Sequence, residues 1–241
     1  MKKNFWAIIP ARSGSQSVKH KNVIKVNGRP LIAYTILVAK KILKVDKVLV
    51  SSDSKKYLNI AKKYGADLLH CRTKKNSSNT ATDMDFFREI IEFYKDSSNK
   101  LPKFFLHLRP NCPIRKVNIL NKAIKIFLKK QKNHSSMRSV SKMSETSYKT
   151  FEIKNSLLKG ICGKSYNIEE MNKPKEFFKK TYMANGYIDI LKVNNILKKN
   201  ILHGQRAIPF LIKDPVVDID SKNDLLFAKY LISKNSKKIK K

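Results

Sequence analysis

Three times in the first 94 residues a short apolar run is followed by a polar loop and then by a longer stretch whose apolar residues recur at helical spacing. The apolar runs are residues 5–9, 47–50 and 67–70; the helical stretches are 30–43, 55–64 and 82–94. Parallel strands cannot be joined by a tight turn, so each needs a crossover, and a helix is the usual one. Strand–helix alternation therefore predicts an α/β fold, a Rossmann-like and mostly parallel sheet with helices on both faces. Ligands of such sheets sit at the carboxyl ends of the strands, where loops 11–22, 51–54 and 71–79 would open on one mouth.

The alternation continues through a strand at 104–108, a helix at 117–130 and a strand at 137–141, and then breaks. Residues 150–154 and 157–162 read as a hairpin turning at Asn155-Ser156. A strand at 182–191, interrupted at Asn185-Gly186, resumes the pattern. A short helix at 194–199, runs at 207–212 and 216–219, and a helix capped by Ser221 complete it. The expected organisation is one domain over 1–241, with 142–180 as an excursion and 234–241 as a charged tail. No apolar stretch approaches the roughly 20 residues that span a bilayer, and the first strand begins without a signal-peptide pattern, so a cytoplasmic protein is expected. Cys71, Cys112 and Cys162 are too widely spaced for a zinc site.

A net charge of +34 raises nucleic-acid binding as a function. Its distribution argues against that function and against a nucleic-acid partner. Only eight of the 52 basic residues are arginine, and the lysines are spread over almost every segment without an aromatic-interleaved stripe. Such a field still gathers anionic substrates.

Two places carry chemistry. In loop 11–22, Arg12, Lys19 and Lys21 surround Ser13, Gly14 and Ser15, combining cations, hydroxyls and unobstructed backbone N–H groups in a way that suits a polyphosphate. The loop is neither a P-loop nor a dinucleotide turn, and its composition equally describes an ordinary basic strand–helix loop. Farther on, Asp218-Ile219-Asp220 in an extended strand would present two carboxylates on one face. Paired oxygen ligands suit Mg²⁺, which completes its shell with water and substrate phosphates. The alternative is that Asp220 merely precedes the capping Ser221 and pairs with a lysine.

Taken together and in order, the motifs say more than either place does alone. The chain reads IIPARSG, then KN and GRPLIAYTI, then Val50-Ser51-Ser52-Asp53, then Arg72 followed nine residues later by Ala81. RPNCPIR at 109–115, Lys149, NGYIDI at 185–190 and Asp218-Ile219-Asp220 follow. This series resembles the CMP-nonulosonate synthetases, the acylneuraminate cytidylyltransferases, over nearly the whole chain. The resemblance implies transfer of CMP from CTP to the anomeric hydroxyl of a nine-carbon α-keto acid sugar, with Mg²⁺ as cofactor and pyrophosphate released. It implies that Arg12, Ser13, Gly14, Ser15, Lys21 and Asn22 take the triphosphate end of the nucleotide, and that Arg72, Thr80, Ala81 and Thr82 take the cytosine and ribose. Asp218 and Asp220 would hold the metal and act in catalysis with Arg12 and Lys21, and Arg109, Lys149, Lys175, Asn185 and Asp189 would meet the sugar. It also implies a homodimer in which the excursion crosses to a partner, carrying Lys149 and Lys175 to the neighbouring pocket.

The chain departs from the family pattern at several points. Gln16 replaces the lysine of G-S-K-G, with Lys19 as a substitute cation. Arg109 replaces a glutamine, Lys175-Glu176 an arginine–glutamine pair, and Asp189 a tyrosine. The last three fall where the sugar is recognised, and point to a legionaminic-, pseudaminic- or Kdn-like acid rather than N-acetylneuraminate. Two further readings are a cytidylyltransferase for Kdo or another keto-acid sugar, and a catalytically silent polyanion-binding protein on the same scaffold.

Overall fold

The computed structural model of the chain describes residues 4–14, 18–95, 97, 100–162 and 167–238. In chain order its elements are β1 (Phe5–Pro10), β2 (Lys25–Val26), β3 (Arg29–Pro30), α1 (Leu31–Ala39), β4 (Val45–Ser52), α2 (Lys55–Lys63), β5 (Leu68–Cys71), α3 (Asp83–Lys95) and β6 (Phe104–His107). There follow α4 (Val117–Lys130), β7 (Ser136–Lys142), β8 (Phe151–Lys154), β9 (Leu157–Gly160), α5 (Ile168–Met171), β10 (Tyr182–Lys192), α6 (Val193–Lys199), β11 (Ala207–Leu211) and α7 (Lys222–Lys238).

Seven strands form one sheet in the order β11-β7-β10-β6-β1-β4-β5. Neighbours are parallel except around β10, which runs antiparallel to both β6 and β7. The fold is thus α/β with a mostly parallel mixed sheet. Side chains of β1 alternate between its two faces: Phe5, Ala7 and Ile9 join Ile32, Tyr57 and Phe127 on one side, while Trp6 and Ile8 join Phe87, Ile90 and Ile196 on the other. Helices α1, α2 and α4 cover the first face, and α3 and α6 the second. Each such fully buried large side chain stabilises the fold by about 1.5–3 kcal/mol. A third apolar cluster seats α7, through Leu225, Ala228 and Ile232, against Val26 and Leu31.

Several local expectations are corrected. Pro30 is not the first helical residue but the N-cap of α1, in extended backbone at the end of a small β2–β3 ribbon. Helix α1 ends at Ala39, not near 43, because the chain turns there to bury Ile42 and enter β4. Ser54 alone caps α2, accepting from the Tyr57 N–H, since Asp53 is engaged by Ser13. The run 216–219 is extended but joins no strand ladder; Ile219 donates its N–H to Asn111 O and buries its side chain. Strand β10 continues through Asn185-Gly186 and absorbs them as an irregularity in its pairing with β7, between Ala184 and Asp189. Helix α7 runs to Lys238, into the stretch expected as a charged tail, and residues 239–241 lie outside the described ones. Among the described residues no helix is long and apolar enough to cross a membrane.

Candidate active site

Loops after β1, β5 and β6, with the entry to α3, surround a cavity of about 600 Å³. Arg12, Lys21, Asn22, Arg72, Arg109 and Asp220 line it. The first loop is pinned from both sides: Asn22 Nδ2 donates to Arg12 O at 3.0 Å, and Arg12 Nη1 donates to Ser78 O at 3.0 Å. Ser13 faces away from this use, because its N–H and its hydroxyl both donate to the Asp53 carboxylate at 2.7 Å. Gly14 is open, with no described residue within 4 Å of a Cβ placed there, but it does not line the cavity. Ser15, with Gln16 and Ser17, lies outside the described residues.

Arg72, at the end of β5, is 7% exposed. Its Nε donates to Ser51 Oγ at 3.2 Å, and its guanidinium lies 4.5 Å over the Phe86 ring. Burial lowers it to about 10, with Asp53, Glu89 and Asp83 opposing, so it keeps its charge at neutral pH. Ala81 and Thr82 line the cavity beside it. The Thr82 hydroxyl is spent on α3, exchanging hydrogen bonds with Asp85 as a cap. Thr80 is exposed and outside the lining, sharing a 3.2 Å hydrogen bond with Ser78.

Lys21 and Asp220 meet at the cavity rim. Lys21 Nζ donates to Ile219 O at 2.6 Å and to Asp220 Oδ1 at 2.9 Å, closing a contact between the two ends of the chain. Asp220 is mostly exposed, whereas Asp218 is half-buried with an Oδ1 that has no hydrogen-bond partner among the described residues. Burial, and then the Asp220 charge, push the Asp218 carboxyl upward, with Lys21, Arg109 and Arg115 opposing. Asn111 Oδ1 is likewise buried and has no partner among the described residues. No three His, Cys, Asp or Glu side chains gather to hold a metal among the described residues. Two carboxylates with one unsatisfied buried oxygen nevertheless fit Mg²⁺, which takes only one or two protein carboxylates beside substrate phosphates.

At the other end Arg109 bridges two acids, donating from Nη1 to Asp189 Oδ2 at 2.8 Å and from Nη2 to Asp83 Oδ2 at 2.7 Å. Burial pulls the guanidinium down, but Asp189 and Asp83 outweigh it and hold Arg109 above its ordinary value. Asp189 is 1% exposed, with Arg138 and His203 nearby at 3.8 and 3.9 Å. His107, buried against Phe86 and Phe87, has Nδ1 at 3.8 Å from both carboxylates, too far for a hydrogen bond, and its burial holds it well below 6.5. Asn185 is a bulge residue, donating to Ser141 Oγ and accepting from the Tyr187 N–H. Lys149 and Lys175 lie in the excursion and do not line the cavity; Lys149 Nζ donates to Lys173 O at 2.9 Å.

Two site residues escaped the sequence reading. Asp83 gives no local signal beyond an acidic first turn of α3. Arg115 stands inside the motif at 109–115 without an assigned role. Its buried guanidinium donates to the backbone oxygens of Arg109, Cys112, Gly186 and Tyr187 and to Thr35 Oγ1. It thereby locks the loop after β6 against the β10 bulge.

Residues 6–207 match the family model described as cytidylyltransferase. An N-acylneuraminate cytidylyltransferase of Escherichia coli is 28% identical over 229 residues, 95% of this chain but 52% of that protein, so the chain spans about half of that relative's length. A CMP-N,N'-diacetyllegionaminic acid synthase of Legionella pneumophila is 26% identical over 234 residues, 95% of this chain and 96% of the relative. Among solved structures, a CMP:2-keto-3-deoxy-manno-octonic acid synthetase complexed with CTP superimposes with a TM-score of 0.67, at 11% identity, covering 96% of this chain and 99% of the other. At that identity the likeness bears on the fold alone.

Proposed function

The chain belongs to the cytidylyltransferase family, and on that premise we propose that it transfers CMP from CTP to the anomeric hydroxyl of a sialic-acid-like nonulosonic acid, releasing pyrophosphate in the cytoplasm. The observation that carries this reading is the convergence of Arg12, Lys21, Asn22, Arg72, Arg109 and Asp220, from distant parts of the sequence, on one cavity beside the partnerless Asp218 Oδ1. The N-acylneuraminate and N,N'-diacetyllegionaminic acid relatives match at similar identity, 28% and 26%.

Each residue has work that its surroundings permit. Arg12 and Lys21 neutralise the triphosphate, and Asn22 holds the loop that carries Arg12. Arg72, rigid between Ser51 and Phe86, receives the cytosine and ribose over Ala81. Asp218 and Asp220 hold Mg²⁺, which when bound acts as a Lewis acid on the phosphoryl oxygens. In-line positioning of the sugar hydroxyl against the α-phosphate, with charge stabilisation around it, supplies most of the acceleration in such transfers. No covalent nucleophile is needed, consistent with Cys112 being buried and its thiol pushed up by that burial.

The working unit is a homodimer. The β8–β9 hairpin leaves Ile153, Leu157 and Leu158 more than half exposed, an apolar surface that water disfavours and a second copy would cover. Lys149 and Lys175 then serve the neighbouring pocket. The test is pyrophosphate release from CTP and Mg²⁺ with neuraminic, legionaminic, pseudaminic, Kdn and Kdo acids offered singly. Release with a nonulosonic acid, lost in Asp220→Ala with the fold intact, is the expected result; release with Kdo alone, or none with CTP unbound, would overturn the reading.

A further inference from the structure

The two most conspicuous departures from the family pattern, Arg109 and Asp189, are partners. They form a 2.8 Å ion pair, and the second amino group of the same guanidinium is taken by Asp83 at 2.7 Å. A free arginine at this end of the cavity would be a natural receptor for the carboxylate of a keto-acid sugar. Here that cation already meets two carboxylates, and a third would add repulsion from both.

The bridge also offers something in place of the cation. Asp83 Oδ2 is occupied by Arg109, but Asp83 Oδ1 accepts no hydrogen bond among the described residues. Asp83 lines the cavity with its side chain 41% exposed, while Asp189 behind it is 2% exposed. Arg109 holds the Asp83 carboxylate in one orientation, and the N-terminus of α3, where Asp83 is the first residue, favours a negative charge there. The Asp83 carboxylate is therefore held in place at the cavity wall.

Resting on the cytidylyltransferase reading, we infer that the Asp83–Arg109–Asp189 bridge determines sugar specificity: it closes Arg109 to the substrate carboxylate and presents Asp83 Oδ1 to a hydrogen-bond donor, a hydroxyl or an amide N–H, on the sugar acid. The keto-acid carboxylate is then received elsewhere in the cavity.

The experiment compares wild type, Asp83→Asn and Asp83→Ser with CTP, Mg²⁺ and the best-used acid of the panel above, together with analogues of that acid lacking one hydroxyl or one acylamino group at a time. One charge-assisted hydrogen bond sets the scale, so both variants should raise KM for the sugar roughly 10- to 100-fold while KM for CTP stays within about twofold. Wild type should lose a similar factor with one analogue, and Asp83→Ser should no longer discriminate against it; which group is missing from that analogue tells hydroxyl from amide. A lower sugar KM in Asp83→Asn would mean that Asp83 repels the substrate carboxylate, and would overturn the inference. So would an unchanged sugar KM, or an effect confined to CTP. Those outcomes leave the cytidylyltransferase reading standing; wild-type silence across the panel with CTP unbound removes both.

Discussion

Gly186 is the position where backbone and chemistry are most tightly joined, and Gly186→Ala tests both. Its φ of +65° lies in the left-handed region, where a Cβ costs about 1–2 kcal/mol. That Cβ would also stand 3.2 Å from Asp218 Oδ2 and 3.9 Å from Arg109 Cδ. The backbone cannot retreat freely, since Arg115 holds the carbonyls of Gly186 and Tyr187 at 2.9 and 2.7 Å. Asp218 must therefore yield by a few tenths of an ångström. Gly65→Ala supplies the control, for Gly65 has a φ of +90° at the end of α2 with nothing within 4 Å of a new Cβ. Both variants should be less stable by about 1–2 kcal/mol in urea unfolding, which for a chain of this size lowers Tm by roughly 2–8 °C. Only Gly186→Ala should need more Mg²⁺ for half-maximal pyrophosphate release, by about 10-fold on the scale of an outer contact to a metal ligand. Equal Mg²⁺ dependence in the two variants would refute the assignment of Asp218 to the metal, whatever happens to stability.

Three further outcomes are expected. Arg72→Ala should weaken CTP binding at least 10-fold by calorimetry while changing sugar KM less, and Arg72→Lys should not restore it, because an ammonium cannot both stack on Phe86 and reach Ser51; a larger effect on the sugar would reverse the two ends of the cavity. Burial holds His70 at about 4 against an ordinary 6.5, so below pH 6.5 the unfolded chain takes up a proton that the folded one refuses. Stability is thus full above 6.5 and is lost as pH falls toward 4. His70 alone should cost about 2 kcal/mol between pH 7.5 and 5, with buried His107 acting in the same direction, and His70→Gln should flatten this limb in urea titrations; an unchanged slope would remove the argument. Ile153→Glu with Leu158→Glu should convert a dimer into a monomer by light scattering while Tm of the monomer changes little, since both side chains are already exposed; a wild-type monomer would sink the assembly.

Much of the sheet was legible because strand and helix periods are local. Residues 117–130 were read as the helix that α4 is, and Asn155-Ser156 as the hairpin turn that both residues make with positive φ. That these residues share one cavity was legible too, because Arg12, Lys21 and Asn22 sit in one loop and Arg72 at one strand end. Segment 216–219 misled, since an apolar run with alternating acids looks the same whether or not a neighbouring strand is free to pair with it.

By itself, then, the sequence determined the class of fold, the order of its strands and helices along the chain, and the basic loop after the first strand, all of them set by short-range spacing and side-chain chemistry. Only the tertiary structure decided that β10 runs antiparallel between β6 and β7, and so brings Asp189 beside His107 and Arg138. It alone turned Ser13 onto Asp53, bound Lys21 to Asp220 across 199 residues, and made a single charged unit of Asp83, Arg109 and Asp189. The physical reason is that a charge carries no record in its own neighbourhood of which distant charge will neutralise it; that is chosen by strand order and burial, which are properties of the whole packed chain.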